Sequence, residues 1–515
     1  MPRNTVPEKF DALVIGSGFG GSMVAHSLVG AGARVLMLER GDWVERGPEN
    51  WAADGAFLLT RHYTKETPYR VLQSRRWEEQ GICACVGGPS VFYGGASFRY
   101  REQDFTPRPD ITAGSGAEWP IDYADLAPHY TEAERLLGVA GRAGDDPTEP
   151  PRSGPYPAAP APIATTSRRI ADAARGLGLH PFRIPLAISS QAEGEGGCVA
   201  CTTCDGFACA VGAKNDLATR VLPDLLARGL ELRPNTVVVR LLTEGGKAVG
   251  VECFDKAKNA RVVHRADRVI LAAGALASPH LLLSSGLERM STAPQAVGRY
   301  LMRHCNAMIY GVFPRPPDPA NEHHKQIAIQ DFYFGTGSGD SARKLGNIQQ
   351  VMTPPVGLVR AMLPPGIGHV AARLVPLLTG LLVIAEDQPR AANGVEIDRS
   401  RTDSFGLPGL RVTHRYSARD LKARRALARE AKKILRAAGA RLTVTWNVNT
   451  FSHAVGTVRL GADPTTAPLD ENCAFRGVEN LYVVDGSFMP TSAGLNPSLT
   501  IAANALRVGK GIGEF

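Results

Sequence analysis

The stretch Phe10–Gly41, FDALVIGSGFGGSMVAHSLVGAGARVLMLERG, decides the fold. An apolar run ends at Ile15, and Gly16, Gly18 and Gly21 follow in G-x-G-x-x-G spacing with Phe19 and Gly20 between them. A helical pattern comes next, then a second apolar run from Arg34 to Leu38, and then Glu39 and Arg40. This is a complete strand, turn, helix and strand unit. Its glycines let the backbone approach a pyrophosphate at a helix N-terminus, where unpaired N–H groups and the helix dipole favour negative charge. Glu39, at the end of the second strand, is placed to accept both hydroxyls of an adenosine ribose. The fold class that follows is α/β with a Rossmann-like dinucleotide-binding unit.

A second segment separates FAD from NAD. Ala266–Gly286, ADRVILAAGALASPHLLLSSG, reads as a strand, a small-residue turn from Ala272 to Ala275 that contains Ala273 and Gly274, and a helix beginning near Ser278 and Pro279. A strand returning to the nucleotide unit after a long excursion is a feature of FAD enzymes with two dinucleotide-type folds. Upstream, Leu230–Cys253 reads as two or three strands turning at Gly245 and Gly246. In such folds the backbone around Val238 meets the adenine.

Composition bounds the rest. A chain of 515 residues exceeds what one hydrophobic core usually supports, so two domains are expected. Its 44% hydrophobic and 21% charged residues are ordinary globular usage, and its 55 Gly and 37 Pro indicate many tight turns. The net charge is +8, but the basic residues are scattered. The densest run, Ala418–Arg436, carries an apolar stripe of Leu421, Leu427, Ile434 and Leu435, so it reads as a solvated amphipathic helix, and no nucleic-acid partner is expected. The N-terminus shows no apolar signal segment and no twin arginine, which predicts a cytoplasmic protein. The most apolar region, Pro354–Glu386, is interrupted by Arg360, Pro364 and Arg373. Its remaining run, LVPLLTGLLVIA, is shorter than the ~20 residues a membrane span requires. It reads as a helix followed by a buried strand and predicts no transmembrane segment, while a substrate entrance or shallow membrane contact stays open.

The last sixty residues carry the chemistry. His453–Ile512, HAVGTVRLGADPTTAPLDENCAFRGVENLYVVDGSFMPTSAGLNPSLTIAANALRVGKGI, resembles the C-terminal signature of the glucose–methanol–choline (GMC) oxidoreductases, and the resemblance runs nearly end to end. Glu118–Val139 also looks like the branch that includes sugar and polyol dehydrogenases. The resemblance implies that His453 is the active-site base and Asn496 its partner. It places Asp485 and Gly486 near the ribityl and pyrophosphate of FAD, and points a terminal helix at the flavin, with Pro497 at its first position and Ser498 following. Cys83–Glu102 corresponds to the glycine-rich loop along the isoalloxazine. There Gly87, Gly88, Ser90, Gly94, Gly95 and Ala96 are cofactor candidates because small residues permit close approach. Pro89 and Tyr93 depart from the family's usual residues, and no histidine that would attach the flavin is visible, so noncovalent FAD is expected.

The chemistry of the pair is consistent with that assignment. Oxidising an alcohol removes a hydroxyl proton and a hydride from one carbon. A neutral imidazole, with an ordinary pKa near ~6.5, suits the first task. Asn496 does not titrate and is suited to holding the substrate oxygen. The resulting expectation is an FAD-dependent enzyme oxidising an alcohol group of a sugar, polyol or glycoside, with a dehydrogenase favoured over an oxidase, and with an acceptor protein or O2 taking the electrons. An apolar alcohol such as a sterol or long-chain alcohol is the second reading, and a non-catalytic flavoprotein the third. The FAD-binding domain is expected from residues 1–110, 197–305 and 451–515, and an antiparallel-sheet substrate domain from 111–196 and 306–450.

One cluster stands apart. Cys198, Cys201, Cys204 and Cys209 fall within twelve residues, out of nine cysteines in the chain. Cysteine-rich segments hold an iron–sulfur cluster in some GMC sugar dehydrogenases, and zinc would satisfy the same ligands. The spacing is not a standard cluster run, and free buried thiols or a disulfide are the other readings.

Overall fold

The protein is described by a computed structural model covering residues 9–73, 76–190, 197–320, 322, 325–335, 343–364 and 366–513. Residues 1–8, on which the absence of a signal segment was judged, lie outside the described residues.

Strand Lys9–Ile15 (β1) is buried on both faces from Ala12 to Val14, as a central strand of a parallel sheet must be. Helix Phe19–Gly30 (α1) returns the chain to strand Val35–Leu38 (β2), all four of whose residues are buried. β1 lies between two parallel neighbours, with Ile15 beside Leu38 on one side and beside Leu271 on the other. The second neighbour is the long strand Ala260–Leu271. Its first half pairs antiparallel with Lys247–Asp255, and its last three residues pair parallel with Leu481–Val483. Strand Glu231–Arg233 extends the other edge beside β2, and Thr236–Glu244 closes the hairpin. Three strands, from the start, the middle and the end of the chain, therefore finish side by side at Ile15, Leu271 and Val483. The turns that follow meet at one sheet edge, where ligands of open α/β sheets bind.

The second sheet has six strands in the order Leu442–Asn447, Cys305–Val312, Leu378–Ala385, Gly346–Val351, Ile327–Ile329 and Phe182–Arg183, all antiparallel. Helix Ala418–Ala437 backs it. Leu427, Ala431, Ile434 and Leu435 on the helix join Cys305, Ala307, Ile309, Leu381 and Val383 in one core. Ser417 and Asp420 form a reciprocal capping box at its start. The helix ends one residue beyond the sequence reading. Helices Val356–Met362 and Ile367–Leu374 precede the buried strand Leu378–Ala385, in line with the reading of that apolar region. Among the described residues no helix is long and apolar enough to cross a membrane.

A third sheet was not foreseen. Its four strands, Gly394–Thr402, Pro408–Thr413, Tyr63–Gln73 and Arg76–Cys83, join segments more than three hundred residues apart. Such pairing leaves no local mark on the sequence.

Candidate active site

Backbone hydrogen bonds tie the converging turns together. Gly16 N–H donates to Leu38 O, Ala272 N–H to Ile15 O and Val484 N–H to Leu271 O, each at 2.9 Å. Two glycines are required by contact: a Cβ on Gly16 would lie 2.4 Å from Ala272 O, and one on Gly21 would lie 1.9 Å from Gly16 O. Gly18 differs, since its Cβ would meet nothing within 4 Å. The tight glycines thus hold the turn against the sheet, and Gly18 forms the open face of a cradle that a side chain would fill. Phe19 opens α1 behind it with Gly20 against Val484. An anionic pyrophosphate fits this cradle, with the first-turn amides of α1 behind it.

Glu39 is buried beside the turn. Its Oε2 accepts the Ser17 hydroxyl at 2.6 Å and the Ser17 amide at 3.1 Å, and its Oε1 accepts the Gly41 amide at 2.9 Å. Burial raises its pKa, and the Ser17 and Gly41 bonds oppose that rise. The carboxylate is thereby fixed at the end of β2, with a lone pair remaining on Oε1. Thr236 N–H donates to Glu39 O at 2.9 Å, which places Val238 on the adjoining strand. Arg40 is oriented elsewhere: its guanidinium bonds Thr67 and lies 3.9 Å from Asp403, beside the third sheet.

The loop read as the isoalloxazine platform packs on the same turn. Gly87 N–H donates to Ser17 Oγ at 2.9 Å, and a Cβ on Gly88 would lie 3.1 Å from Gly18 Cα. Ser90 Oγ donates to Gly87 O and accepts Leu217 N–H. The Tyr93 ring lies 5.5 Å from that of Phe19. Gly95 O accepts Ala187 N–H at 2.8 Å, and Ala96 bridges to Leu186. The side chains of Asp205 and Lys325, paired with each other, lie where a Cβ on Gly94 would be, at 1.8 and 2.0 Å from it.

Asp485 joins two of the turns. One oxygen accepts Gly274 N–H at 2.9 Å and the Ser278 hydroxyl, and the other accepts Ser487 N–H at 2.8 Å; Ser278 Oγ also accepts Ala273 N–H. Gly486 N–H is not the donor to Asp485; the Gly486 carbonyl instead accepts Gly456 N–H, connecting this turn to the segment after His453.

His453 and Asn496 are each only partly buried. Across residues 491–500 only Asn496 and Ser498 are not buried, and Asn496 Oδ1 has no partner among the described residues. Helix Ser498–Ile512 follows, with Pro497 just before its first residue in helical conformation. The proline therefore sits one place earlier than expected, and the first-turn amides still point out of the helix end. His453 is half-buried. Burial lowers its pKa to about 3, with the neighbouring His304 and Lys325 acting in the same direction, so it stands neutral at physiological pH.

A histidine missed by the sequence reading completes the arrangement. His304 Nδ1 lies 3.0 Å from His453 Nδ1, and His304 Nε2 lies 2.9 Å from Ser492 O. The buried carboxylate of Asp387 accepts the amides of Arg303 and His304 and the Ser492 hydroxyl, and faces His414 Nε2 at 3.3 Å. Its burial raises its pKa, but the His414 bond, the nearby histidine charges and the Arg303 amide outweigh that and hold it below the usual carboxylate range. The only sequence signal for these residues was polarity at the edges of apolar runs.

The metal expectation gains no support from the side-chain directions. Among the described residues no three His, Cys, Asp or Glu side chains converge as a metal requires, and Cys198, Cys201, Cys204 and Cys209 are free thiols. Cys198 Sγ accepts Ala200 N–H, Cys201 Sγ accepts the Thr203 hydroxyl, and desolvation pushes the thiol of the partly buried Cys204 up to about 12. The buried Lys214 Nζ donates to the carbonyls of Tyr93, Cys204 and Phe207, so the cysteine loop is anchored by its backbone to the segment at Tyr93. Spacing brought the thiols into one loop without pointing them at one centre.

Comparison with known proteins agrees with this geometry. Residues 10–306 and 389–505 match the two family models described as GMC oxidoreductase. The 6'''-hydroxyparomomycin C oxidase of Streptomyces lividus is 32% identical, covering 99% of this chain and 93% of its own. The 2-methyl-1,2-propanediol dehydrogenase of Mycolicibacterium austroafricanum is 29% identical, covering 98% of this chain and 95% of its own. The fold is shared with the crystal structure of pyridoxine 4-oxidase from Mesorbium loti, at a TM-score of 0.69 and 18% identity over 98% of this chain and 99% of that one.

Proposed function

The chain belongs to the GMC oxidoreductases, enzymes that use FAD to oxidise alcohols, and on that premise we propose that it oxidises an alcohol group of a sugar, polyol or glycoside to a carbonyl. The reading is supported by a neutral, partly buried His453 in contact with His304, and by Asn496, whose side-chain oxygen is buried without a partner among the described residues. His453 takes the hydroxyl proton, and Asn496 holds the oxygen from which it leaves. A carboxamide in that place stabilises developing alkoxide charge without exchanging a proton of its own. Bound FAD supplies the hydride acceptor. The cradle around Gly18, Glu39 and the Gly87–Ala96 loop would hold it, without covalent attachment. Asp485 maintains the cradle by stitching the Gly274 and Ser487 turns together.

A hydroxyl-rich substrate is favoured by the Asp205 and Lys325 pair against Gly94, which sets charged groups beside the flavin loop, a costly lining for a purely apolar alcohol. Relatives named for acting on paromomycin-type aminoglycosides and on a propanediol lean the same way. The assignment of residues 1–110, 197–305 and 451–515 to FAD and of 111–196 and 306–450 to substrate belongs to this proposal. It draws support from the first sheet, whose strands all come from the former set. The test is an anaerobic panel: the flavin absorbance of holoenzyme is followed with sugars, polyols and glycosides against long-chain alcohols and sterols. Bleaching by the first group supports the reading, and bleaching by the second group alone overturns it.

A further inference from the structure

We propose that His304 is a positioning residue that fixes the tautomer of His453, leaving Nε2 as its basic nitrogen; this rests on the reading of His453 as the base. The logic follows from which atoms can donate. A peptide carbonyl only accepts, so the 2.9 Å contact between His304 Nε2 and Ser492 O requires the hydrogen on Nε2. In the neutral ring that leaves Nδ1 as a lone pair. The 3.0 Å contact between the two Nδ1 atoms must then use a hydrogen on His453 Nδ1. A neutral His453 with hydrogen on Nδ1 has its free lone pair on Nε2, at the other end of the ring. When the substrate hydroxyl gives its proton to Nε2, the imidazolium that forms keeps donating from Nδ1 to His304, so the positive charge is stabilised and no second proton moves.

The surroundings hold His304 in an orientation it would not adopt alone. Its backbone is in the left-handed region, with φ +61, which a non-glycine residue occupies only when its neighbours impose it. Asp387 accepts its amide at 3.0 Å, and Tyr416 OH donates to its carbonyl at 2.8 Å. The acceptor is fixed as well: Ser492 O takes the Tyr100 hydroxyl at 2.6 Å, and the Ser492 hydroxyl donates to the same Asp387 oxygen that binds His304. One carboxylate thus holds both ends of the contact that sets the hydrogen on His304. The two imidazoles cross at 87°, so neither can rotate to exchange its nitrogen without breaking the contact.

The experiment is nitrogen-15 NMR of histidine-labelled holoenzyme, with the His453 resonances identified by their loss in His453→Gln. Hydrogen on Nδ1 and none on Nε2 is expected. Hydrogen on Nε2, or on both nitrogens at neutral pH, overturns the proposal. In parallel, His304→Leu removes the acceptor, while His304→Asn offers an amide oxygen near the place of Nδ1. Flavin reduction should fall about 10- to 100-fold in the leucine variant, the usual loss when a partner orienting a functional side chain is removed, and recover in the asparagine variant with KM unchanged. Equal rates in wild type and His304→Leu overturn it. If the leucine variant does not fold, the wild-type spectrum decides. Failure of the base reading is distinguishable, because it shows as normal flavin reduction by His453→Ala whatever the tautomer.

Discussion

Asp387 accepts the backbone N–H of His304 at 3.0 Å through Oδ1, the oxygen that also accepts the Ser492 hydroxyl at 2.9 Å. Its Oδ2 accepts Arg303 N–H and faces His414. All these groups donate, so both oxygens must be acceptors. Asp387→Asn keeps the size but turns one acceptor into a donor facing donors. A stability loss on the order of 2 to 3 kcal/mol, the worth of hydrogen bonds to a charged group, is predicted from urea unfolding. A variant as stable as wild type would show that the carboxylate does not clamp these segments.

The glycine turn separates two roles. Gly21→Ala would put Cβ 1.9 Å from Gly16 O, so it should disrupt the fold around β1 and lower thermal stability with or without cofactor. Gly18→Ala meets nothing within 4 Å in the protein, so the apoprotein should melt like wild type while FAD affinity drops. Apoprotein melting and FAD titration of the two variants check this. An unstable Gly18→Ala apoprotein, or unchanged FAD affinity, contradicts the cradle.

The parts of this site that were legible in the sequence are local. Gly16, Gly18, Gly21 and Glu39 announce themselves because strand, turn and helix are consecutive and their periods differ. His453 and Asn496 are proposed from a family signature within one segment. His304, Asp387 and Ser492 come from three distant segments, and each alone is an ordinary polar residue beside an apolar run. The contact that relates them exists only after the six-stranded sheet is laid against the terminal segment. For the four cysteines the close spacing was legible, while the directions of the side chains, which separate a metal site from free thiols, were not.

Acid should destabilise the fold through buried histidines. Burial, aided by nearby cationic charge, lowers His453 to about 3 and His129 to about 4; burial also lowers His280 to about 4, against a bond from Pro408 O. Between these values and the ordinary ~6.5 of an unfolded imidazole, the unfolded chain binds more protons than the folded one, so stability rises with pH across that window and is lost as pH falls. The melting temperature should therefore drop from pH 7 to pH 5, with net proton uptake on unfolding. His280→Gln should reduce that uptake by roughly one proton. A melting temperature that is flat or rises on acidification contradicts the burial of these rings.

Removal of the hydroxyl proton by His453 is checked by single-turnover anaerobic reduction of bound FAD. Wild type and His453→Ala, each verified to carry a full complement of FAD, are mixed with an alcohol that bleaches the wild-type flavin, and the absorbance decay is timed. His453→Ala should keep FAD and be reduced about 10² to 10⁴ times more slowly, the range expected for loss of a general base. Reduction at the wild-type rate would contradict it.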